Sequence, residues 1–284
     1  MSARTTWLTA AAAVAVAAAG AGSLVAWQRG SAAEENLRAR TAQRVVPDPA
    51  TRVPCEAIAQ AKPLVLLVLG QSNAANQGEA GPVAPPPVTV ITDAGDCLRS
   101  TDPLPGATGN GASIWSRLPA ALANSGMTRP LVLGVLAVDA TAMREWTNPR
   151  SPPPVLLDTT VRRMTEAGLP PTLVLWQQDE ADALRGTSAT EYGHGLLALA
   201  DRLRAAGVSA PWLLAQSTVC RAPPSPELRA EITRLVASDR RFLPGPDIDS
   251  LNAPGDRADG CHFSAAGLQA AADLWALSVA QTQR

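Results

Sequence analysis

The feature that most constrains the fold is a series of short, uninterrupted apolar runs separated by amphipathic stretches. A strand that is covered on both faces is apolar along its whole length, whereas a strand with one wet face alternates. The runs therefore predict parallel strands buried in a central sheet of about five strands. They occupy Leu64–Leu69, Leu131–Val138, Thr172–Trp176, Trp212–Ala215 and Arg241–Leu243.

Helices are predicted between these runs, because apolar residues recur there at every third or fourth position. A further helix is expected with Ser116 as its cap and Pro119 in its first turn, where proline is tolerated. Strands that alternate with helices predict an α/β fold with right-handed crossovers. The other predicted helices are Asp158–Gly168, Ser188–Ala206, Ser225–Asp239 and Ser264–Gln281.

One loop-rich segment, Gly81–Gly111, interrupts this alternation. A hairpin is expected within it, from Val88–Thr92 and Cys97–Ser100. Because the segment follows the first strand, we expect it to overhang the carboxyl end of the sheet.

The N-terminus differs from the rest of the chain. Thr5–Gln28 carries no charge and is mostly Ala, Val and Leu, with Trp7 and Trp27 near its two ends. About 20 apolar residues can cross a bilayer, and interfacial tryptophans favour a membrane anchor. Two small-residue stretches, AGAGS within the apolar segment and GSAAE after it, are also compatible with the cleavage site of a signal peptide. Residues 1–28 are therefore predicted to be a signal peptide or an N-terminal membrane anchor. Residues 29–52 are predicted to be a polar linker, and residues 53–284 the functional domain. In either case the domain is expected to be exported to an extracytoplasmic or periplasmic compartment.

Charge and cysteine content narrow the possible functions. The net charge is −1, so nothing in the composition attracts a polyanion, and nucleic acid is not an expected partner. The chain has 4 cysteines, an even number that in an exported chain suggests disulfides. Of the possible pairings we favour Cys55–Cys97 and Cys220–Cys261, since each lies within one half of the domain; free thiols are the alternative. The sequence contains no C-x-x-C pair of the kind that forms zinc sites, and neither a metal nor a cofactor is expected.

A candidate nucleophile follows the first strand. Ser72 lies in LVLGQSNAANQG, at the carboxyl edge where open α/β sheets bind ligands, although Gly, Ser and Asn are also ordinary turn residues. A serine needs a base, and the chain has 2 histidines. His262 has Asp259 three residues before it, close enough to bind Nδ1 and fix the tautomer, or simply to form a loop hydrogen bond. His194 lies in the first turns of a helix and is expected to face solvent or cap it.

Three motifs in order carry a family resemblance: GQSN after the first strand, W-x-Q-x-E-x-D after the third, and D-G-x-H-F-S before the last helix. The chain resembles the sialate O-acetylesterase-like branch of the SGNH hydrolases, which are carbohydrate acetylesterases. The resemblance implies a flavodoxin-like, three-layer α/β/α sandwich with Ser72 as nucleophile, His262 as base and Asp259 as orienting acid. It also implies an oxyanion hole built from the Gln178 side-chain amide and the Ser72 N–H, with Asn73 fixing the turn.

Two positions depart from the family pattern. Asp179 stands where the family has a glycine in Q-G-E, and Ala140 stands in a turn that is usually Gly-Gly. If this turn supplies the third oxyanion donor, the donor is the N–H of Ala140, which we expect only at a negative φ. Gly111 is the fallback donor.

Further candidates surround these motifs. Asp179, Glu180 and Asp182 either bind a cation or, as we favour, hydrogen-bond neighbouring loops and position Gln178. Trp146 and Trp176 form either a platform for a sugar ring or part of the core. Asn73, Trp146 and Glu180 are accordingly candidates for substrate binding.

The function predicted from the sequence is an exported serine esterase that removes acetyl or another small acyl group from a carbohydrate or glycan. An O-acyltransferase with the same triad and a non-catalytic glycan-binding module are the alternatives. The expected partners are the acylated glycan and, through residues 7–27 if they are uncleaved, a membrane.

Overall fold

The structure is a computed structural model that describes residues 32–283. The chain divides into two units, Met1–Ala39 and Arg40–Arg284. In the first unit, the described residues 32–39 are helical. The predicted signal peptide or anchor at residues 1–28 lies outside the described residues. Between residues 32 and 283, no helix is long and apolar enough to span a membrane.

The sheet of the second unit contains 8 strands in the part of the chain that the structure describes, more than the predicted five. Their order across the sheet is β1-β4-β3-β5-β2-β6-β7-β8. β4 runs antiparallel to both of its neighbours, and every other pairing is parallel. The strands are β1 (Arg52–Val53), β2 (Leu64–Gly70), β3 (Val88–Ile91), β4 (Cys97–Ser100), β5 (Leu131–Ala137), β6 (Leu173–Gln177), β7 (Trp212–Gln216) and β8 (Phe242–Asp247).

The five predicted apolar runs are the parallel strands β2, β5, β6, β7 and β8, and the predicted hairpin forms β3 and β4. Its strand β3 joins the main sheet beside β5, which explains why the sheet is larger than predicted. β8 is also longer than its apolar run, since it continues through Pro244. It lies at one edge of the sheet, where proline is tolerated.

The helices alternate with these strands and mostly begin where the sequence predicts. Ser188, Ser225 and Ser264 each accept a hydrogen bond from a first-turn N–H, as expected for caps. The helices are α1 (Cys55–Gln60), α2 (Leu118–Asn124), α3 (Met143–Thr147), α4 (Pro152–Glu166), α5 (Glu180–Arg185), α6 (Ala189–Ala205), α7 (Pro226–Ser238) and α8 (Ala265–Gln281).

Two predicted helix starts are wrong. α4 begins at Pro152 rather than at Asp158, because prolines are tolerated in the first turn, and Asp158 instead accepts hydrogen bonds from Arg202. α2 has Arg117 rather than Ser116 at its N-cap, although Pro119 does fall in its first turn. Ser116 donates its hydroxyl hydrogen to Asp102 instead.

The helices cover both faces of the sheet, as the predicted three-layer α/β/α sandwich requires. Alternate residues of β2 point to opposite faces: Leu66 packs in the same apolar cluster as α2 and α8, and Leu67 in the cluster of α3, α4, α6 and α7. Full burial of each such side chain contributes about 1.5–3 kcal/mol, so β2 anchors both layers. The strand that leads into the candidate nucleophile is therefore held from both of its faces.

Both predicted disulfides are confirmed. Cys55 pairs with Cys97 at a Cα–Cα distance of 5.4 Å, and Cys220 pairs with Cys261 at 4.0 Å. The first joins α1 to β4, and neither element carries a residue of the predicted triad. The second joins the loop after β7 to the loop that carries His262.

Candidate active site

The turn after β2 presents Ser72 at the carboxyl edge of the sheet. A Cβ atom at position 70 would lie 1.9 Å from the carbonyl oxygen of Gln177, so only glycine lets the two strands approach here. The chain then enters a 3₁₀ turn, Ser72–Ala74. Ser72 is 6% exposed, and within residues 32–283 its N–H donates to no other protein group. The geometry leaves both the hydroxyl and the N–H of Ser72 available to a ligand.

The predicted contact between Asp259 and His262 is present. Nδ1 of His262 lies 3.1 Å from Oδ2 of Asp259, and the backbone N–H groups of Cys261 and His262 donate to Oδ1 at 2.9 and 2.7 Å. Partial burial works to raise the pKa of Asp259, but these N–H groups and the His262 ring outweigh it and hold that pKa far below its usual range. Asp259 is therefore an ionised partner suited to orient the imidazole.

Two hydrogen bonds bring the Ser72 turn against the His262 loop. The side-chain amide of Asn73 donates to the carbonyl oxygen of Cys261 at 3.2 Å, and the N–H of Glu79 donates to that of Phe263 at 3.0 Å. The neighbours of Ser72 thus hold the neighbours of His262. Ser72 and His262 form no direct hydrogen bond in the described residues, and catalytic hydrogen bonds are often loose in ligand-free sites.

The turn after β5 places a second free N–H at this edge. Ala140 is exposed and adopts a φ of 51°, so the expectation of a negative φ is wrong. This is the left-handed backbone that the glycine turn of the resembled family would favour. The N–H of Ala140 donates to no group in the described part of the chain, whereas the N–H of the fallback donor Gly111 is bound to the carbonyl oxygen of Asn76 at 2.8 Å.

Gln178 is not placed to donate to an oxyanion. Its side chain is fully buried, and its amide nitrogen donates to the carbonyl oxygen of Thr141 at 2.8 Å and to Oδ2 of Asp182 at 2.7 Å. Both N–H groups are therefore occupied. Because Asp182 also accepts from the N–H of Met143, the contacts of Gln178 instead fix the turn that contains Ala140.

Replacing Ala140 with glycine is expected to stabilise the chain by up to about 1 kcal/mol, because the left-handed backbone penalises a Cβ more than glycine's extra freedom costs in the unfolded state. Urea denaturation measures the change. Ala206, which is also exposed but adopts a φ of −81°, gives the matched control, and Ala206→Gly should bring no gain. Equal destabilisation by both changes would show that no strain resides at Ala140.

Below the surface of the site, the acidic residues that follow β6 form a hydrogen-bonded cluster. Asp179 and Glu180 are fully buried. Asp179, at a φ of 124°, accepts from the Tyr192 hydroxyl and from the N–H of Ser217. Glu180 accepts through Oε1 from Asn73 at 2.6 Å and from the Ser217 hydroxyl at 2.9 Å. The favoured interpretation, that these acids hold neighbouring loops, fits these contacts, and no metal-binding group of acidic, His or Cys residues is present among the described residues.

Three candidates for substrate binding are not available to a ligand at the surface. Trp146 is fully buried, packs on Trp176 with the two ring centroids 5.4 Å apart, and donates its indole N–H to Thr141. Glu180 is fully buried, and Asn73 is 4% exposed. Trp146 belongs to the core, while Asn73 and Glu180 hold the Ser72 turn from beneath.

The charge state of Glu180 is expected to make the stability of the chain depend on pH. Burial has the largest effect and raises the pKa of Glu180 from 4.5 to about 7, against the hydrogen bonds from Asn73 and Ser217. Between these two values the folded chain holds a proton that the unfolded chain has lost, so the free energy of unfolding falls as pH rises through this window. Glu180→Gln keeps an oxygen for both hydrogen bonds but cannot ionise. It should therefore gain up to about 3 kcal/mol over the wild type at pH 8, and little at pH 5.

Urea denaturation between pH 5 and pH 8 measures this difference. The exposed Glu56 in α1 gives the control, since Glu56→Gln removes a carboxyl that is already solvated. Wild-type and Glu180→Gln curves that stay parallel across the window would contradict the prediction.

Sequence reasoning missed residues whose importance depends on tertiary contacts. Gln177, not Gln178, reaches the turn that contains Ser72, where it donates to the carbonyl oxygen of Asn73 at 3.0 Å. Arg221 donates to the carboxylate of Asp259, and its position directly after Cys220 was the available signal. His194 is exposed on α6, as expected, and is not part of this group.

The fold is shared with solved structures, although no protein-family model and no curated protein match this chain. A protein of Arabidopsis thaliana aligns over 78% of this chain and 97% of its own, with a TM-score of 0.58 and 20% identity. The aryl esterase of M. smegmatis aligns over 77% of this chain and 98% of its own (TM-score 0.49, 17% identity). A family 3 carbohydrate esterase of Clostridium thermocellum aligns over 76% and 96% (TM-score 0.46, 10% identity). At this level of identity the similarity to the Arabidopsis protein establishes the α/β fold with its mostly parallel central sheet.

Proposed function

We propose that the chain is an exported serine esterase that removes acetyl or another small acyl group from a carbohydrate. The observation that supports the proposal is the joining of two loops: the Asn73–Cys261 hydrogen bond holds the turn that contains Ser72 against the loop in which Asp259 contacts the imidazole of His262. A hydroxyl, a base and an ionised carboxylate in this arrangement are the parts of a serine hydrolase. The ordered motifs GQSN and D-G-x-H-F-S are what direct the proposal toward carbohydrate esters.

In the proposed reaction, the hydroxyl oxygen of Ser72 attacks the ester carbonyl carbon while Nε2 of His262 takes the hydroxyl proton. The tetrahedral intermediate places its negative charge on the former carbonyl oxygen, and the free N–H groups of Ser72 and Ala140 are the proposed donors to it. Losing one such donor typically costs about 10²–10³ in rate. His262 then returns the proton to the departing sugar oxygen, which leaves an acyl-serine.

A second half-reaction releases the acyl group. Water attacks the acyl-serine and gives its proton to His262, and collapse of the intermediate frees the acid and restores the Ser72 hydroxyl. A sugar hydroxyl in place of water would make the same chain an O-acyltransferase. The two disulfides support an oxidising, extracytoplasmic compartment, since such bonds are rare in reducing ones.

The test is to incubate the full-length chain with 4-nitrophenyl acetate, with and without a sugar such as methyl glucoside, and to follow nitrophenol, acetate and acetylated sugar. The proposal predicts nitrophenol and acetate in equal amounts whether or not sugar is present. Acetylated sugar formed at the expense of acetate would favour the acyltransferase. A rate equal to that of Ser72→Ala would instead favour a binding module.

A further inference from the structure

Arg221 forms a fork-like contact with the acid of the proposed triad. Its Nη2 donates to Oδ2 of Asp259, the same oxygen that lies 3.1 Å from Nδ1 of His262. Its Nε donates to the backbone carbonyl oxygen of Asp259 at 3.1 Å, and its own N–H donates to the carbonyl oxygen of Gly260 at 2.8 Å. Residue 221 is thus joined to residues 259 and 260 at three separate atoms.

This contact differs from an ordinary surface ion pair, although Arg221 is exposed. Most such pairs contribute little, because two long side chains must be ordered in water. Here the backbone at both ends is already fixed, since the adjacent disulfide Cys220–Cys261 joins the same two loops. Arg221 itself adopts a φ of 55°, an uncommon backbone for a residue with a Cβ, which directs its side chain across Gly260.

We propose that Arg221 is a positioning residue of this site: it fixes the orientation of the Asp259 carboxylate toward His262 and neutralises part of its charge. The inference rests on the proposed function only for its kinetic readout. In physical terms, the carboxylate of Asp259 interacts with the guanidinium of Arg221 as well as with the imidazole of His262. An aspartate without that partner would favour the protonated imidazole more strongly.

Several other charged side chains lie near the Asp259–His262 pair. Arg257, on the same loop, points inward and donates to the carbonyl oxygen of Cys261 at 2.5 Å, while Asp256 precedes it. The buried Glu180 accepts a hydrogen bond from Asn73, whose amide also contacts this loop. The exposed Glu79 donates its backbone N–H to the carbonyl oxygen of Phe263. Among the described residues, Arg221 is the one arginine or lysine that hydrogen-bonds the Asp259 carboxylate, so its replacement changes that carboxylate most directly.

The experiment is an NMR titration of the two histidine rings in the full-length chain, with His194→Gln used to assign the signals. Arg221→Gln removes the charge but keeps a Cβ, so it adds no new backbone strain. The pH midpoint of the His262 signal is expected to rise by about half a unit, the order of magnitude for two nearby unit charges in water. Arg221→Lys keeps the charge and should return most of this shift.

A matched control is Arg234→Gln, because Arg234 is 55% exposed and pairs with Glu231 at 2.6 Å on α7. It should leave the His262 signal unchanged. In the esterase assay, the acidic limb of the pH profile of kcat/KM should move upward with the NMR midpoint in Arg221→Gln.

A His262 midpoint that does not move in Arg221→Gln, or that moves equally in Arg234→Gln, overturns the inference. The NMR readout needs no substrate, so it separates this inference from the proposed function. A chain that shifts its midpoint but hydrolyses no ester would support the role of Arg221 and refute the esterase; an active esterase with a fixed midpoint would do the reverse.

Discussion

Replacing Ser72 with alanine is expected to remove nearly all ester hydrolysis, a loss of about 10⁴-fold or more in kcat, and adding His262→Ala should cost almost nothing further. In the proposed mechanism the two side chains act on one proton, so without the hydroxyl there is nothing for the imidazole to deprotonate. Their effects are therefore non-additive, whereas two independent residues would multiply their losses. Steady-state kinetics of the two single variants and the double variant measure this directly.

The chain supplies its own control for the base, because its sequence contains only 2 histidines. His194 is exposed on α6 and contributes to a separate surface cavity with Met143 and Thr147. His194→Ala should keep wild-type activity. An inactive His194→Ala together with an active His262→Ala would show that the base has been assigned to the wrong loop.

Removing the disulfide Cys220–Cys261 is expected to lower both stability and activity, whereas removing Cys55–Cys97 should lower stability alone. The two bonds close loops of almost equal length, with sequence separations of 41 and 42 residues. In the chain-entropy description each therefore stabilises the fold by about 4 kcal/mol. Any difference in activity between the two double Cys→Ser variants must then come from where each bond lies.

Position is what distinguishes the two bonds. Cys261 lies between Asp259 and His262, and its carbonyl oxygen accepts from Asn73 and Arg257, so the bond fixes the loop that carries the proposed base. Small displacements of a catalytic group are costly in rate. We expect kcat to fall by about tenfold or more in Cys220→Ser/Cys261→Ser under conditions where both variants remain folded. Equal kcat values for the two disulfide variants, at matched fractions of folded chain, would remove the proposed catalytic role.

Much of the fold could be predicted from the sequence because buried parallel strands leave a strong local signal. The run Leu64–Leu69 is apolar at every position and forms β2 almost to the residue. The short strand β1 has two residues of mixed polarity, and its place in the sheet depends on pairing with β4, which no local pattern reveals. The start of α4 at Pro152 was also not predicted. Proline usually ends a helix, but here it occupies the first position of one.

The site was predictable where a short motif contains the whole interaction. Asp259 and His262 are three residues apart, so their contact is local, and the cysteine pairing followed from their distribution. Gln178 was not predictable in the same way. Whether its amide faces the surface or Thr141 depends on the turn after β5, a tertiary contact.

Backbone conformation at two positions of the site also could not be predicted from the sequence. Ala140 and Asp179 both adopt positive φ values, 51° and 124°, that their side chains alone would argue against. At Asp179 the cost is opposed by hydrogen bonds from Tyr192 and Ser217, which only the folded chain brings together. In the sequence, both positions depart from the glycines of the resembled family. In the folded chain, both nevertheless adopt the positive φ that favours glycine.

Covalent labelling with a fluorophosphonate probe tests the central claim most directly, because such a probe reacts with an activated serine hydroxyl and loses fluoride. The account predicts one adduct per full-length chain, mapped by mass spectrometry to the peptide that contains Ser72. The adduct should be absent in Ser72→Ala and strongly slowed in His262→Ala, since the hydroxyl is then no longer activated. Undiminished labelling of Ser72→Ala, or an adduct mapped to another serine, would contradict the assignment of Ser72 as the nucleophile.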